Sequence, residues 1–269
     1  MWLSVVIPCY NSANTIRWTL DSIIRQNVND YEVIICDDHS TDNTIEICHE
    51  YDELLPLKYI STAPHGRHCP NNTRYDGYQA AHGEWITFID HDDVFVDGVF
   101  QKVRNVIEES LAENPNTEFT LIGGRTILVN EDQIIQTFNE SCSNLLHGKF
   151  YYRPFLDNNG LGMLENVVIY EDILFNNRFV SYCCAKHKTC IFLDEIFYKW
   201  NLNGRSFSHW LEPYGVDFDI FYFDYWIESI SWPYFEAYEK YGDDENREEL
   251  LVYSAHALLS FYFLYMINL

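Results

Sequence analysis

The residues best placed to do chemistry are four in a row, Asp90-His91-Asp92-Asp93, which follow directly on the apolar run Trp85-Ile86-Thr87-Phe88-Ile89. Carboxylates two apart on a turn can aim oxygens at one hard cation such as Mn2+ or Mg2+. A cation held there can bridge a diphosphate and stabilise it as a leaving group. An acidic turn also has a plainer use, in which Asp92 or Asp93 caps a following helix. A second acidic pair, Asp37-Asp38, ends another apolar run, Tyr31-Glu32-Val33-Ile34-Ile35-Cys36.

These acids can act together only if the chain brings them together. Residues 3–8 form a β-branched run closed by Pro8 and read as a buried strand. Asn11-Ser12-Ala13-Asn14 is a loop of N-cap residues, after which Ile16, Leu20, Ile23 and Ile24 recur at helical spacing. Strands are predicted at 31–36, 57–60 and 85–89, and helices after Ser40-Thr41-Asp42, over 72–82 and over 99–111. The order β-α-β-α-β-α-β is that of an α/β protein with a doubly wound, mostly parallel central sheet. Ligands of such sheets bind beyond the carboxyl ends of the strands. Asp37-Asp38 and the 90–93 cluster both stand at such ends, so the fold is expected to bring them into one crevice. After Phe119 the pattern changes to short strands at 119–122, 126–129 and 133–138, then an irregular polar stretch to 165. A helix from Asp172 to before Lys186, strands at 191–193 and 196–200, and an apolar helix over 250–269 complete the expectation.

Composition narrows the function classes. With 47% hydrophobic and 22% charged residues in 269, a sizeable core is affordable. The net charge of −24 argues against binding extended nucleic acid through broad electrostatic attraction. It is compatible with an anionic ligand bound through a cation, which inverts the field locally. Several of the eight Cys lie in apolar runs, where a thiol behaves as a small hydrophobe, and no secretory signal is visible, so a cytoplasmic protein is expected. The Cys183-Cys184 to Cys190 segment lacks paired Cys-x-x-Cys spacing and reads as a helix end rather than a zinc site. The loop Cys9-Tyr10-Asn11-Ser12-Ala13-Asn14 has no glycine, which disfavours a nucleotidyltransferase or a dinucleotide dehydrogenase. The segment 250–269 contains Ser254, His256, Ser260 and Asn268 and reads as a core-packing or surface-docking helix rather than a membrane span.

Three segments together, Val5-Val6-Ile7-Pro8-Cys9-Tyr10-Asn11, Cys36-Asp37-Asp38-His39-Ser40-Thr41-Asp42 and Gly83-Glu84-Trp85-Ile86-Thr87-Phe88-Ile89-Asp90-His91-Asp92-Asp93, resemble the family-2 glycosyltransferases, inverting enzymes of the GT-A fold. The resemblance implies that Pro8, Tyr10 and Asp38 contact the nucleobase and ribose. Arg74 would face the base or diphosphate, from Thr73-Arg74-Tyr75-Asp76-Gly77, where the family has Ala-Arg-Asn-x-Gly. Asp90 would hold ribose or metal, and Asp92 would be the principal ligand of Mn2+ or Mg2+. Tyr170-Glu171-Asp172 is similar to the family's Glu-Asp element, which makes Asp172, beside Glu171, the implied general base. Two acids at a helix start are also what the helix dipole favours. In the segment from Tyr198 to His209, Arg205 is the implied diphosphate contact and His209 a candidate metal ligand.

The reading implied is a metal-dependent transferase moving a hexosyl or pentosyl group from a nucleotide-sugar, UDP-linked, to an acceptor glycan, lipid-linked sugar or other hydroxyl compound. A catalytically inactive GT-A-like nucleotide- or glycan-binding protein is the alternative. Residues 1–115 would form the nucleotide-sugar half, 116–210 the acceptor half of the same domain, and 211–269 an aromatic-rich helical extension able to touch a membrane peripherally.

Overall fold

The computed structural model describes residues 1–62, 70–130, 133–138, 146–165 and 171–202. They fall in two compact units, residues 1–169 with 190–204 and residues 170–189 with 205–269. Arg205, His209, the extension 211–269 and the apolar segment 250–269 lie outside the described residues. Among the described residues no helix is long and apolar enough to cross a membrane.

The first unit is built on strands β1 (Leu3–Cys9), β2 (Tyr31–Asp37), β3 (Leu57–Ser61), β4 (Trp85–Phe88), β5 (Val94–Phe95), β6 (Leu121–Asn130), β7 (Gln133–Phe138), β8 (Lys149–Tyr152) and β9 (Ile191–Asn201). They form one sheet in the order β3-β2-β1-β4-β8-β6-β9-β5, with β7 paired to β6. The β3-β2-β1-β4 block is parallel. Every residue of β1 is buried, as a strand covered on both faces by crossover helices must be. Those helices are α1 (Ile16–Ile24), α2 (Thr44–His49), α3 (Pro70–Ala80) and α4 (Val99–Glu113), close to the predicted bounds.

Beyond β4 the sheet becomes mixed. Strand β8 runs antiparallel between β4 and β6, with Ile86 opposite Tyr151 and Leu121 opposite Tyr151. It is followed at once by helix α5 (Arg153–Asn159). Both lie in the stretch expected to be irregular, where Lys149, Tyr151 and Tyr152 make the strand read as polar. The predicted pairs of short strands merge into β6 and β9, which pair in parallel over Ile122–Ile191 to Val129–Asn201. A bulge at Gly124 lets the Phe197 ring lie so close that a Cβ there would meet it at 2.3 Å. Of the second unit, helix α6 (Glu171–Ala185) is described, and it spans the predicted helix.

The strand order reverses direction at β1, with β2 on one side and β4 on the other. Pairing with β4 stops at Val6–Phe88, closed by Ile89 N–H donating to Val6 O at 3.1 Å, while β2 continues to Cys9–Asp37. Alternate residues of a strand bond to opposite sides, so Pro8 points to the β4 side, where no strand needs its missing N–H. A crevice therefore opens at the carboxyl ends of β1 and β4, the kind of switch point where open α/β sheets bind ligands.

Helix α3 lies directly over this edge because Gly77 lets it approach. A Cβ at Gly77 would meet Val6 Cγ1 at 2.4 Å and Cys36 Sγ at 2.7 Å. Gly77→Ala is expected to lower unfolding free energy by about 1–3 kcal/mol, the usual scale of overpacking. A urea midpoint shift at constant slope would show it, and an unchanged midpoint would mean that this contact is looser than described.

Candidate functional site

The ends of β1 and β2 are laced together by short polar side chains. Asp38 N–H donates to Cys9 O at 2.9 Å. Asn11 N–H donates to Ser40 Oγ at 2.9 Å, and Thr41 N–H returns a bond to Asn11 Oδ1 at 2.8 Å. Ser12 N–H reaches Thr44 Oγ1 at 2.7 Å and Ala13 N–H reaches Asp42 Oδ2 at 3.1 Å. Asn11 and His39 take positive φ at the two turns, the conformation that Asn and His tolerate better than most residues. Within this lacing Pro8 and Asp38 are buried and Tyr10 half-buried, and Asp38 Oδ1 accepts from Thr62 Oγ1 at 3.0 Å.

The acidic turn after β4 is held from two sides. Helix α1 presents Thr19, whose hydroxyl donates to Asp90 O at 3.2 Å and Asp93 O at 2.8 Å. Strand β9 supplies the rest. Tyr198 Oη donates to Asp93 Oδ2 at 2.7 Å and accepts from Asp90 N–H at 3.2 Å. Asn201 donates its N–H to Asp93 Oδ1 at 2.9 Å and its Nδ2 to Asp92 O at 2.7 Å. Asp93 therefore caps no helix; α4 begins at Val99, with Gly98 as its cap.

Arg74, 6% exposed, projects from α3 and pairs through Nη2 with Asp90 Oδ1. The other oxygen of Asp90 faces His147, with Nε2–Oδ2 3.7 Å. Among the described residues Asp90, Asp93 and His147 form a set whose ligand atoms all lie within 4.8 Å of one another. Two carboxylates and an imidazole suit a divalent ion of the Mn2+ class. Asp92, half-buried in the same turn, is outside this set of three. Neither His147, Tyr198 nor Asn201 was singled out as a ligand or partner by the sequence. The signal available was the glycine after His147, since Gly148 takes φ +68° and turns the chain into β8.

Three carboxylates in one turn do not ionise alike. Burial opposes charge on Asp90, but Arg74 and His147 outweigh it and hold this carboxyl well below the usual range. Burial, with the charge of Asp90 added, raises Asp92 despite the pull of His91. Burial, then Asp90 and Asp92, pushes Asp93 well above its ordinary value, and burial with Asp93 and Asp90 does the same to Tyr198. The negative charge of the turn is thus concentrated on Asp90.

Asp172 is the second residue of α6 and its carbonyl accepts from Asn176 Nδ2 at 2.8 Å. It belongs to the second compact unit, as does Glu171, which opens the helix.

Residues 4–148 match the family model described as Glycosyl transferase family 2. Among curated proteins the chain is 29% identical over 181 residues to glycosyltransferase GlyA of Streptococcus pneumoniae, covering 67% of this chain and 23% of that protein. It is 26% identical over 170 residues to the Escherichia coli UDP-Glc:alpha-D-GlcNAc-diphosphoundecaprenol beta-1,3-glucosyltransferase WfgD, covering 62% and 59%. The chain thus spans less than two thirds of the length of these curated relatives. Its fold is that of Staphylococcus aureus TarS 1–349 solved with UDP-GlcNAc, with a TM-score of 0.70, 20% identity, and coverage of 97% and 73%.

Removing the Tyr198 hydroxyl leaves Asp93 Oδ2 without its donor and Asp90 N–H without its acceptor. Tyr198→Phe is expected to cost about 1–3 kcal/mol of stability in urea unfolding. Tyr152→Phe, which removes a hydroxyl that meets exposed Glu84 at 3.3 Å, should stay within about 0.5 kcal/mol. Equal losses in both variants would mean that the buried link to Asp93 carries no special weight.

Proposed function

The chain belongs to glycosyl transferase family 2, and on that premise we propose that it is an inverting, metal-assisted transferase moving a hexosyl or pentosyl group from a UDP-sugar to an acceptor hydroxyl. The observation that carries this reading is the placement of Pro8, Tyr10, Asp38 and the Arg74–Asp90 pair along the carboxyl ends of β2, β1 and β4. A UDP donor is supported by the TarS complex with UDP-GlcNAc. An acceptor hydroxyl on a glycan or lipid-linked sugar is supported by the name of WfgD.

In this reading Asp38 accepts from a base N–H and the β1–β2 lacing fixes the base plane. Arg74, pinned on Asp90, sets a positive charge near the diphosphate. The acidic turn, through Asp90 and Asp92, would hold a divalent cation, which when bound would supply charge neutralisation for the leaving diphosphate. Asp172 deprotonates the acceptor hydroxyl, with Glu171 beside it at the start of α6. Attack opposite the diphosphate inverts the anomeric configuration.

Asp172→Asn should lower transfer by about 10²–10⁴-fold, the usual share of a general base, with UDP affinity by calorimetry unchanged. An equal loss of UDP affinity would remove Asp172 from that role. A panel of nucleotide-sugars with Mn2+, scored by slow donor hydrolysis and thermal shift, should respond to UDP-sugars and lose both signals with chelator. UDP binding without hydrolysis of any donor would favour an inactive nucleotide-binding protein.

A further inference from the structure

We propose that His147 is a ligand of the divalent cation at the donor site, bound through Nε2 beside Asp90 Oδ2; this rests on the metal-assisted reading above. The separation of these atoms, 3.7 Å, is longer than an N–H···O hydrogen bond, about 2.7–3.2 Å. Two donors each ~2.1 Å from one ion stand roughly 3 Å apart when adjacent and about 4.2 Å when opposite. The observed gap falls inside that interval, and the Asp93 carboxylate lies within 4.8 Å of both groups. Each Asp93 oxygen accepts one hydrogen bond and keeps a second lone pair.

The imidazole is held as a ligand needs to be. Its ring stacks on Tyr198 at 4.6 Å between centroids and 3° between planes, and meets Trp200 edge-on at 5.4 Å. Its backbone is fixed too, because His147 O accepts from Thr126 Oγ1 at 3.4 Å and Gly148 O from Gly124 N–H at 3.1 Å. Nδ1 is buried with no partner among the described residues.

An imidazole among carboxylates predicts which ion. It favours Mn2+ and Co2+ over Mg2+, which prefers an all-oxygen shell.

The test uses the full chain with UDP and Mn2+. Pulsed EPR of the complex is expected to show nitrogen coupling from a bound imidazole that changes on 15N-histidine labelling. The coupling should vanish in His147→Asn and persist in His209→Asn. Mn2+ affinity should fall at least ~10-fold in His147→Asn, the scale seen when even ligand-orienting groups are lost. His147→Asp, which restores an oxygen donor, should regain Mg2+ binding and lose the preference for Mn2+. Coupling that persists in His147→Asn, that disappears in His209→Asn instead, or that is absent from wild-type protein with Mn2+ bound would overturn the assignment. Wild-type protein that binds UDP but no Mn2+ would overturn the metal-assisted reading itself, and the assignment with it.

Discussion

A fully buried carboxylate, Asp93, sets the terms for the rest of the site. Taking an unpaired carboxylate out of water costs several kcal/mol, and a buried ion or acid persists only with its partners in place. Those partners are Tyr198 and Asn201, more than a hundred residues later in the chain. Strand β9 can supply them only because β5, two residues long and following the turn at once, pairs with it at Val94–Lys199 and Phe95–Tyr198. On the other side the carbonyls of Asp90 and Asp93 rest on the hydroxyl of Thr19. The turn cannot shift without stranding Asp93, so Asp90 and Asp92 inherit a fixed position. Preorganisation of this kind is what electrostatic stabilisation of a reacting group needs.

The same turn couples two elements through one side chain. Arg74 meets one oxygen of Asp90 and His147 faces the other. Arg74 depends on α3 lying close to β1, which Gly77 permits, and His147 depends on the aromatic wall that Tyr198 and Trp200 make on β9. A displacement of α3 or β9 would therefore reach Asp90 from opposite directions. The charge held there reflects the packing of both.

How far this was legible in the sequence follows from the range of the forces involved. The parallel block was readable because continuous apolar runs, helical spacing and terminal Asp residues are local signals. Asp38 and Asp90 stood out because they close apolar runs at strand ends, and Arg74 because it sits in a contiguous motif, which falls on α3. Strand β8 was not, because its Lys and Tyr residues hide a strand whose environment comes from β4 and β6. Asp93 read as a helix cap because capping is local, whereas its actual partners lie on a strand joined by pairing across the sheet. His147 gave no sign at all beyond its neighbouring glycine, since its environment is assembled from β6, β9 and the acidic turn.

Charge then constrains how an anionic donor can enter. The chain carries −24 overall, and beyond a Debye length of about 8 Å that field is screened, so the decisive charges are those within the crevice. There, among the described residues, Arg74 is set against the acidic turn and is already shared with Asp90. A bare diphosphate arriving beside Asp90, where the turn's charge is concentrated, would meet like charge at short range, and a low effective dielectric makes that repulsion strong. In the metal-assisted reading proposed above, a divalent cation held at the turn would complete the complementarity. The Arg74–Asp90 pair would then be the fixed half of an anion site, and the metal that accompanies the donor the half that completes it.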